Sequence, residues 1–221
     1  MHVAIICDGN RRWAKERNLS IKEGYQKAIE TVKVLTQEAI DLNIQHLTLF
    51  VLSTENVNRT PAWVSLFKEI IIRYLKSMAM EAIQKGCKVS FLGHKDILGY
   101  NITELIQDIE QTQNSQETTP KLFLNLCFGY SGRQDLIDAV AKMKEVNADP
   151  KDLRQYLSTK TISDPDLIIR TSGEMRLSNF LLFESAYSEL FFIQEHFPDF
   201  TKEKLRWILK EFEQRERRYG K

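Results

Sequence analysis

The sequence predicts an α/β fold: one domain built on a six-stranded, mostly parallel sheet flanked by helices. Short β-rich runs alternate with longer segments of helical period, which is the pattern of strand–helix–strand crossovers. The 221 residues suffice for one such domain, with a core large enough to need no disulfide or metal staple. No internal repeat and no Gly/Ser- or Pro-rich linker divides the chain, so residues 1–221 read as a single unit.

The candidate strands are His2–Cys7, His46–Ser53, Cys87–Leu92, Lys121–Cys127, Asp166–Arg170 and Glu189–Ile193. Between the first two, Tyr25, Ala28, Ile29, Val32, Leu35, Ala39 and Ile40 recur at helical spacing, and Asn43 reads as the stop. A long helix is expected after Pro61, ending near Gly86. Another is expected after Ser131-Gly132, and Thr201 is placed as the N-cap of the last. The polar stretch Gln111–Thr119 reads as a flexible loop. In parallel α/β sheets ligands bind beyond the carboxyl ends of the strands, so the strand-to-helix junctions are where chemistry is sought.

A hydrophobic fraction of 43% and a charged fraction of 28% are ordinary for a soluble protein, and a net charge of +1 gives no argument for nucleic acid. Cys7, Cys87 and Cys127 are odd in number, far apart and set in apolar runs. They read as free thiols in a reducing compartment, since neither CxxC spacing nor a nearby His suggests a metal site or nucleophile. The start lacks a basic head and long apolar stretch, and no run approaches the ~18 apolar residues of a membrane span, so a cytoplasmic location is expected.

The first strand runs straight into Asp8-Gly9-Asn10-Arg11-Arg12-Trp13-Ala14. A glycine turn opening a helix offers free N–H groups to an anion, and two arginines add charge. Asp8 alone would repel a phosphate; with Mg²⁺ between them it becomes a ligand. An Asp N-cap beside two solvated arginines explains the same residues. Three further blocks follow. Leu52-Ser53-Thr54-Glu55-Asn56-Val57-Asn58-Arg59 places hydroxyl, amide and guanidinium groups at a strand end, suited to orienting diphosphates, or to capping a loop. Asn125–Arg133 reads as a Gly-rich turn into a helix. In Asp166–Leu182, Arg170, Arg176 and the Ser178 hydroxyl form a cationic pocket for a diphosphate, or a set of structural ion pairs.

HVAIICDGNRRWAK resembles the opening signature of the cis-prenyltransferase family, which includes undecaprenyl diphosphate synthase. The Ser53–Arg59 segment is similar to the family's SSENWNRP block, with Val57 at the usual Trp. Residues 125–133 resemble NxAxNYGGR, with Gly129 at the usual Asn. Residues 166–182 match DLxIRTxGExRxSNFLL, and Ala186–Leu190 matches AYxEL. The tail Arg215–Gly220 matches as well. The resemblance spans the chain with its blocks in order.

It implies a magnesium-dependent enzyme that adds isopentenyl diphosphate to an allylic diphosphate primer. Asp8, Ser53, Asn56 and Arg59 inherit catalytic roles. Gly9, Asn10, Arg11, Arg12, Trp13 and Tyr25 inherit the primer diphosphate, and Arg170, Arg176 and Ser178 the isopentenyl diphosphate. Asp8 and Glu189 inherit magnesium. The family also implies an apolar tunnel along the helix after Pro61, a homodimer reached through the C-terminal tail, and room for a peripheral membrane contact at product release.

Ile21 and Tyr25 stand where most members have Arg and His. Ile21 donates no hydrogen bond and Tyr25 is no cation at neutral pH; Lys22 or Arg11 are the candidates to compensate. A Tyr of this kind occurs in relatives that make short, branched lavandulyl-type diphosphates, yet this chain keeps Ser53, Glu55 and Asn56. Ordinary cis elongation to undecaprenyl diphosphate is the expected activity. The alternatives are a short-chain or branched synthase, then a non-catalytic partner subunit, disfavoured by the intact Asp8 and arginines. A phosphatase using Asp8 lacks the second acid of a DxD start.

Overall fold

A computed structural model describes residues 1–57, 60–114 and 119–217. Six strands form one sheet: β1 (His2–Ile6), β2 (His46–Ser53), β3 (Cys87–Leu92), β4 (Leu122–Tyr130), β5 (Leu167–Arg170) and β6 (Glu189–Phe192). Their order is β3-β4-β2-β1-β5-β6 and every pairing is parallel. β1 is central and buried on both faces, as its unbroken apolar run requires. Val3 and Ile5 enter the larger core, while Ala4 and Ile6 enter a smaller one on the opposite face, as the two-residue strand period dictates.

The larger core is roofed by α2 (Ile21–Asp41), α4 (Pro61–Gln84), α5 (Tyr100–Asn114) and α8 (Lys202–Glu213). Each end has a chemical reason. Ser20 and Glu23 form a reciprocal capping box at the start of α2. Asn43, at φ 54°, ends that helix in the left-handed conformation. Pro61 occupies the first turn of α4, where no N–H is missed. Ser131 caps α6 (Gly132–Glu145), and Thr201 caps α8 by accepting from the Lys204 N–H. Three short helices complete the set: α1 (Asn10–Glu16), α3 (Thr54–Val57) and α7 (Leu153–Tyr156).

Two expectations need correction. β4 continues beyond Cys127 to Tyr130, so the Gly-rich block is strand end before it is turn. The register against β2 slips twice, around Leu52, and Gly129 takes φ 57° with no room for a Cβ beside His94 O, 2.6 Å away. α5 runs on through Asn114, so the polar stretch begins as helix, since polar side chains do not stop a helix without Gly or Pro; its residues 115–118 lie outside the described ones.

The chain leaves β1 towards β2, β3 and β4 on one side and later returns to β5 and β6 on the other. The reversal opens a crevice above the carboxyl end of β1, flanked by β2 and β5. Among the described residues, no helix is long and apolar enough to cross a membrane. Cys87 and Cys127 are buried and Cys7 half-buried, all as free thiols.

Candidate active site

The crevice is a cleft of about 1070 Å³. Its floor is the turn after β1. Gly9 sits at φ 100° as the N-cap of α1, and its N–H donates to Asp8 Oδ1 at 2.7 Å. The Asp8 carbonyl is tied down from two sides, by the Thr171 hydroxyl at 2.7 Å and the Phe197 N–H at 3.0 Å. These bonds leave the Asp8 carboxylate facing the cleft between two arginines. Arg12 Nη2 lies 3.3 Å from Oδ1, and Arg170 Nη2 lies 2.9 Å from Oδ2.

The second wall follows β5. Arg170, 4% exposed, also donates to the Ser178 hydroxyl at 2.8 Å and to the Arg176 carbonyl. Glu174 bridges Arg12 at 3.0 Å and Arg176 at 2.5 Å, so acid and base alternate along one chain of contacts. This segment is bent sharply: Ser172, Ser178, Asn179 and Leu181 all have positive φ, between 44° and 79°. The third wall is the end of β2. Ser53 Oγ accepts from the Asn56 N–H at 3.2 Å and caps α3, while the Asn179 amide donates to Glu55 at 2.9 Å and to Ser131 Oγ at 2.5 Å.

Burial alone would push the Asp8 carboxyl up. The hydrogen bond and charge of Arg170, then Arg12 and the Gly9 N–H, outweigh it and hold Asp8 below the usual carboxylate value. Glu174 is lowered by Arg176 and Arg12. All three acids of the cleft, Asp8, Glu55 and Glu174, are ionised at neutral pH. Six cations line it against them: Arg11, Arg12, Lys15, Arg133, Arg170 and Arg176. Six cations around a central acid in one cleft suit the binding of polyanions.

Comparisons with known proteins identify the family. Residues 6–220 match the family model described as "Putative undecaprenyl diphosphate synthase". The isoprenyl transferase of Aquifex aeolicus is 38% identical, covering all of this chain and 95% of the relative. The chain belongs to this cis-prenyltransferase family. The isoprenyl transferase of Clostridium tetani is 36% identical over 99% of this chain and 88% of its own length. Among solved structures, lavandulyl diphosphate synthase from Lavandula x intermedia, in complex with dimethylallyl diphosphate, superposes with a TM-score of 0.91. It shares 32% identity and covers all of this chain and 98% of its own. A probable undecaprenyl diphosphate synthase from Campylobacter jejuni gives 0.83 and 30% over the same shares.

Within this prenyltransferase the cleft gathers Asp8, Gly9, Asn10, Arg11, Arg12, Tyr25, Ser53, Asn56, Arg170, Arg176 and Ser178. Two expected residues among the described ones do not line it. Trp13 turns away from the cleft, donates from Nε1 to Asp199 at 2.7 Å and carries Arg17 on its face, because α1 buries its Trp13–Ala14 side. Glu189 pairs with Leu167 at the amino end of the sheet, three rungs or about 10 Å from the Arg170 rung, and binds Arg215 at 2.6 Å. It therefore does not join Asp8 around one ion within this chain. Arg59 lies outside the described residues. Lys22 pairs with Glu69 and does not line the cleft, whereas Arg11 does.

The sequence reading missed Lys15, Glu55, Arg133, Glu174 and Asn179. An acid two residues before Arg176, and a cation one helical turn after Arg11, were the available signals.

Among the described residues no cluster of three or more His, Cys, Asp and Glu comes together. The turn therefore offers an ion one carboxylate. Asn10 Oδ1 adds a second hard oxygen, buried and without a hydrogen-bond partner among the described residues. That donor set fits magnesium, which takes one or two carboxylates plus phosphate oxygens.

Beneath the cleft, between α2 and α4, lies an apolar cavity of about 70 Å³ lined by Val32, Phe67, Ile71, Leu75, Met78 and others. Tyr25 lines both spaces. Its ring meets Phe67 edge-on at 5.5 Å, and Phe67 stacks on Trp63 at 5.1 Å. Cys7, Asn10 and Val51 line both spaces as well, so the cavity adjoins the cleft.

Proposed function

We propose that the chain condenses isopentenyl diphosphate with an allylic diphosphate primer in the cis sense, lengthening a Z-polyprenyl diphosphate towards undecaprenyl diphosphate. The observation that carries this reading is Asp8 held between Arg12 and Arg170 in a cleft lined by six cations. Arg11, Arg12 and Lys15 hold the primer diphosphate and stabilise it as it departs. Arg170, Arg176 and Ser178 hold isopentenyl diphosphate with its double bond facing the allylic carbon.

The new carbon–carbon bond forms as the allylic carbon–oxygen bond breaks, and one proton leaves the isopentenyl unit. Ser53 and Asn56, at the end of β2, orient the reacting ends for that loss. Asp8, with Asn10, would hold magnesium, which when bound would neutralise charge on the leaving diphosphate. A homodimer, a cytoplasmic location and a peripheral membrane contact at product release belong to the same reading.

A second reading, a short-chain or branched synthase, is favoured by the Tyr25–Phe67–Trp63 ring stack beside the apolar cavity and by Ile21 lining the cleft. One experiment separates the two. The protein is given labelled isopentenyl diphosphate, Mg²⁺ and primers of several lengths, and the products are sized. Undecaprenyl diphosphate supports elongation with an aromatic wall that yields to the growing chain. Short or branched products support the second reading, and Phe67→Ala should then shift products to greater length. If neither substrate is consumed, both readings fail.

A further inference from the structure

His196 has no part in the chemistry above, yet its ring sits directly behind the Asp8 turn. We propose that His196, acting through Ser172, is a positioning residue that holds the Asp8–Arg12 turn in the shape that receives the primer diphosphate. The inference rests on reading that turn as the primer site.

His196 Nε2 is 3.0 Å from Glu16 Oε1, and Nδ1 is 2.6 Å from the Ser172 hydroxyl. A carboxylate only accepts, so Nε2 carries the proton, and in the neutral ring Nδ1 accepts from Ser172. The pair is pressed against the turn. A Cβ added at Gly9 would lie 2.5 Å from Ser172 Oγ and 2.6 Å from His196 Nδ1.

The neighbours of the pair grip the same turn. Thr171 and Phe197 both donate to the Asp8 carbonyl, and the Ser172 carbonyl accepts from Arg12 Nη1 at 3.3 Å. One imidazole thus ties the exits of β5 and β6 together behind Asp8 and Arg12. A Ser-His-Glu series also suggests a hydrolase. Ser172 is only 6% exposed and does not line the cleft, so no carbonyl group reaches its hydroxyl. The two arms are unequal: the His196 side chain is 15% exposed and that of Glu16 is 58%, so the Ser172 arm carries the positioning.

The test compares His196→Ala, His196→Asn and His196→Gln. Asn keeps an acceptor near the Nδ1 position, whereas Gln reaches towards Glu16. His196→Ala should raise the primer KM, and the Kd of an unreactive allylic thiolodiphosphate with Mg²⁺ measured by calorimetry, roughly three- to tenfold, the range of one net hydrogen bond. The KM for isopentenyl diphosphate should stay unchanged. Asn should restore the primer values and Gln should not.

Equal changes in both KM values, an unaltered analogue Kd, or rescue by Gln and not Asn overturns the proposal. If His196→Ala does not fold, Ser172→Ala is measured in its place with the same expectations. Wild-type protein that binds the analogue but turns nothing over sinks the functional reading, while the analogue Kd still judges the clamp.

Discussion

The two ends of the sheet use polar residues in opposite ways. At the amino end, His2 donates its N–H to Asp166 at 2.9 Å and pairs through Nδ1 with the Ser163 carbonyl at 2.6 Å. Its Nε2 lies 2.7 Å from the Thr48 hydroxyl, which accepts from Asn125 at 3.0 Å. Arg217 completes the cluster on Asp166 at 2.8 Å. His2 is buried with partners on its backbone and both ring nitrogens. At the carboxyl end, Asn10 Oδ1 and Arg170 Nε are buried without a hydrogen-bond partner among the described residues, four non-glycine residues sit at positive φ, and cations outnumber acids. The same backbone therefore carries below a polar network satisfied around His2, with His46 Nδ1 left over, and above a strained, cation-rich one. The upper end alone joins such unpartnered atoms to a large cleft lined by cations, which is where a ligand has work to do.

The largest expected effect breaks the upper network without emptying it. Asp8→Asn keeps an acceptor for Arg170 but removes the charge, and turnover of labelled isopentenyl diphosphate should fall by about a thousandfold or more with little change in melting temperature. Unchanged turnover would remove the Asp8 charge from the mechanism. Asp8→Ala is a poorer test. It leaves the Arg170 side chain, 5% exposed, without its carboxylate, at a cost of about 3 kcal/mol or more in stability.

The lower network should answer to pH and not to substrate. Burial lowers the His2 pKa from 6.5 to about 4. The unfolded chain therefore takes up a proton first, and the stability contributed by neutral His2 is full above 6.5 and lost as pH falls towards 4. The loss is about 3 kcal/mol. His46, also lowered by burial, acts in the same direction. The Asp8 contribution is present above 3.8 and disappears only below it, so the windows separate. Urea unfolding at pH 7 and pH 4 should show a smaller difference in His2→Gln than in wild type, with kcat at pH 7 little altered. An equal difference in the two proteins would deny His2 this role.

The smallest effect tests the isopentenyl diphosphate contacts alone. The Arg176 side chain is 59% exposed and held by Glu174. Arg176→Ala should raise the KM for isopentenyl diphosphate about tenfold to a hundredfold, the range of a lost charged hydrogen bond, without moving the primer KM. A rise confined to the primer would reverse the assignment.

The strands were legible because each is an apolar run bounded by turn residues. His46–Ser53 and Cys87–Leu92 keep the bounds the sequence suggests. β4 was cut short because Gly129 looks like a turn; only pairing with Leu52 and Ser53 explains why the strand passes through it. Residues adjacent to a strand end, such as Asp8, Ser53 and Arg170, were legible as a site because topology alone brings strand ends together. Trp13 and Glu189 were not, since a motif does not say which face of α1 is buried or which end of β6 a residue occupies. Glu174 was passed over because an acid between arginines reads as solvated surface until the fold brings Arg12 beside it.

The segment from Ser172 to Leu181 is bent in advance at four side chains that disfavour the bend, at about 1–3 kcal/mol each. Folding bears that cost, and an arriving diphosphate meets a loop that has no freedom left to lose. Heat resistance and grip on the ligand are thereby set against each other in one short stretch of chain. Glycine at Ser172 or Ser178 would ease the backbone and release the hydroxyl anchors together. Selection of this protein for thermostability alone would thus drift, at these positions, towards sturdier molecules that hold their substrates loosely.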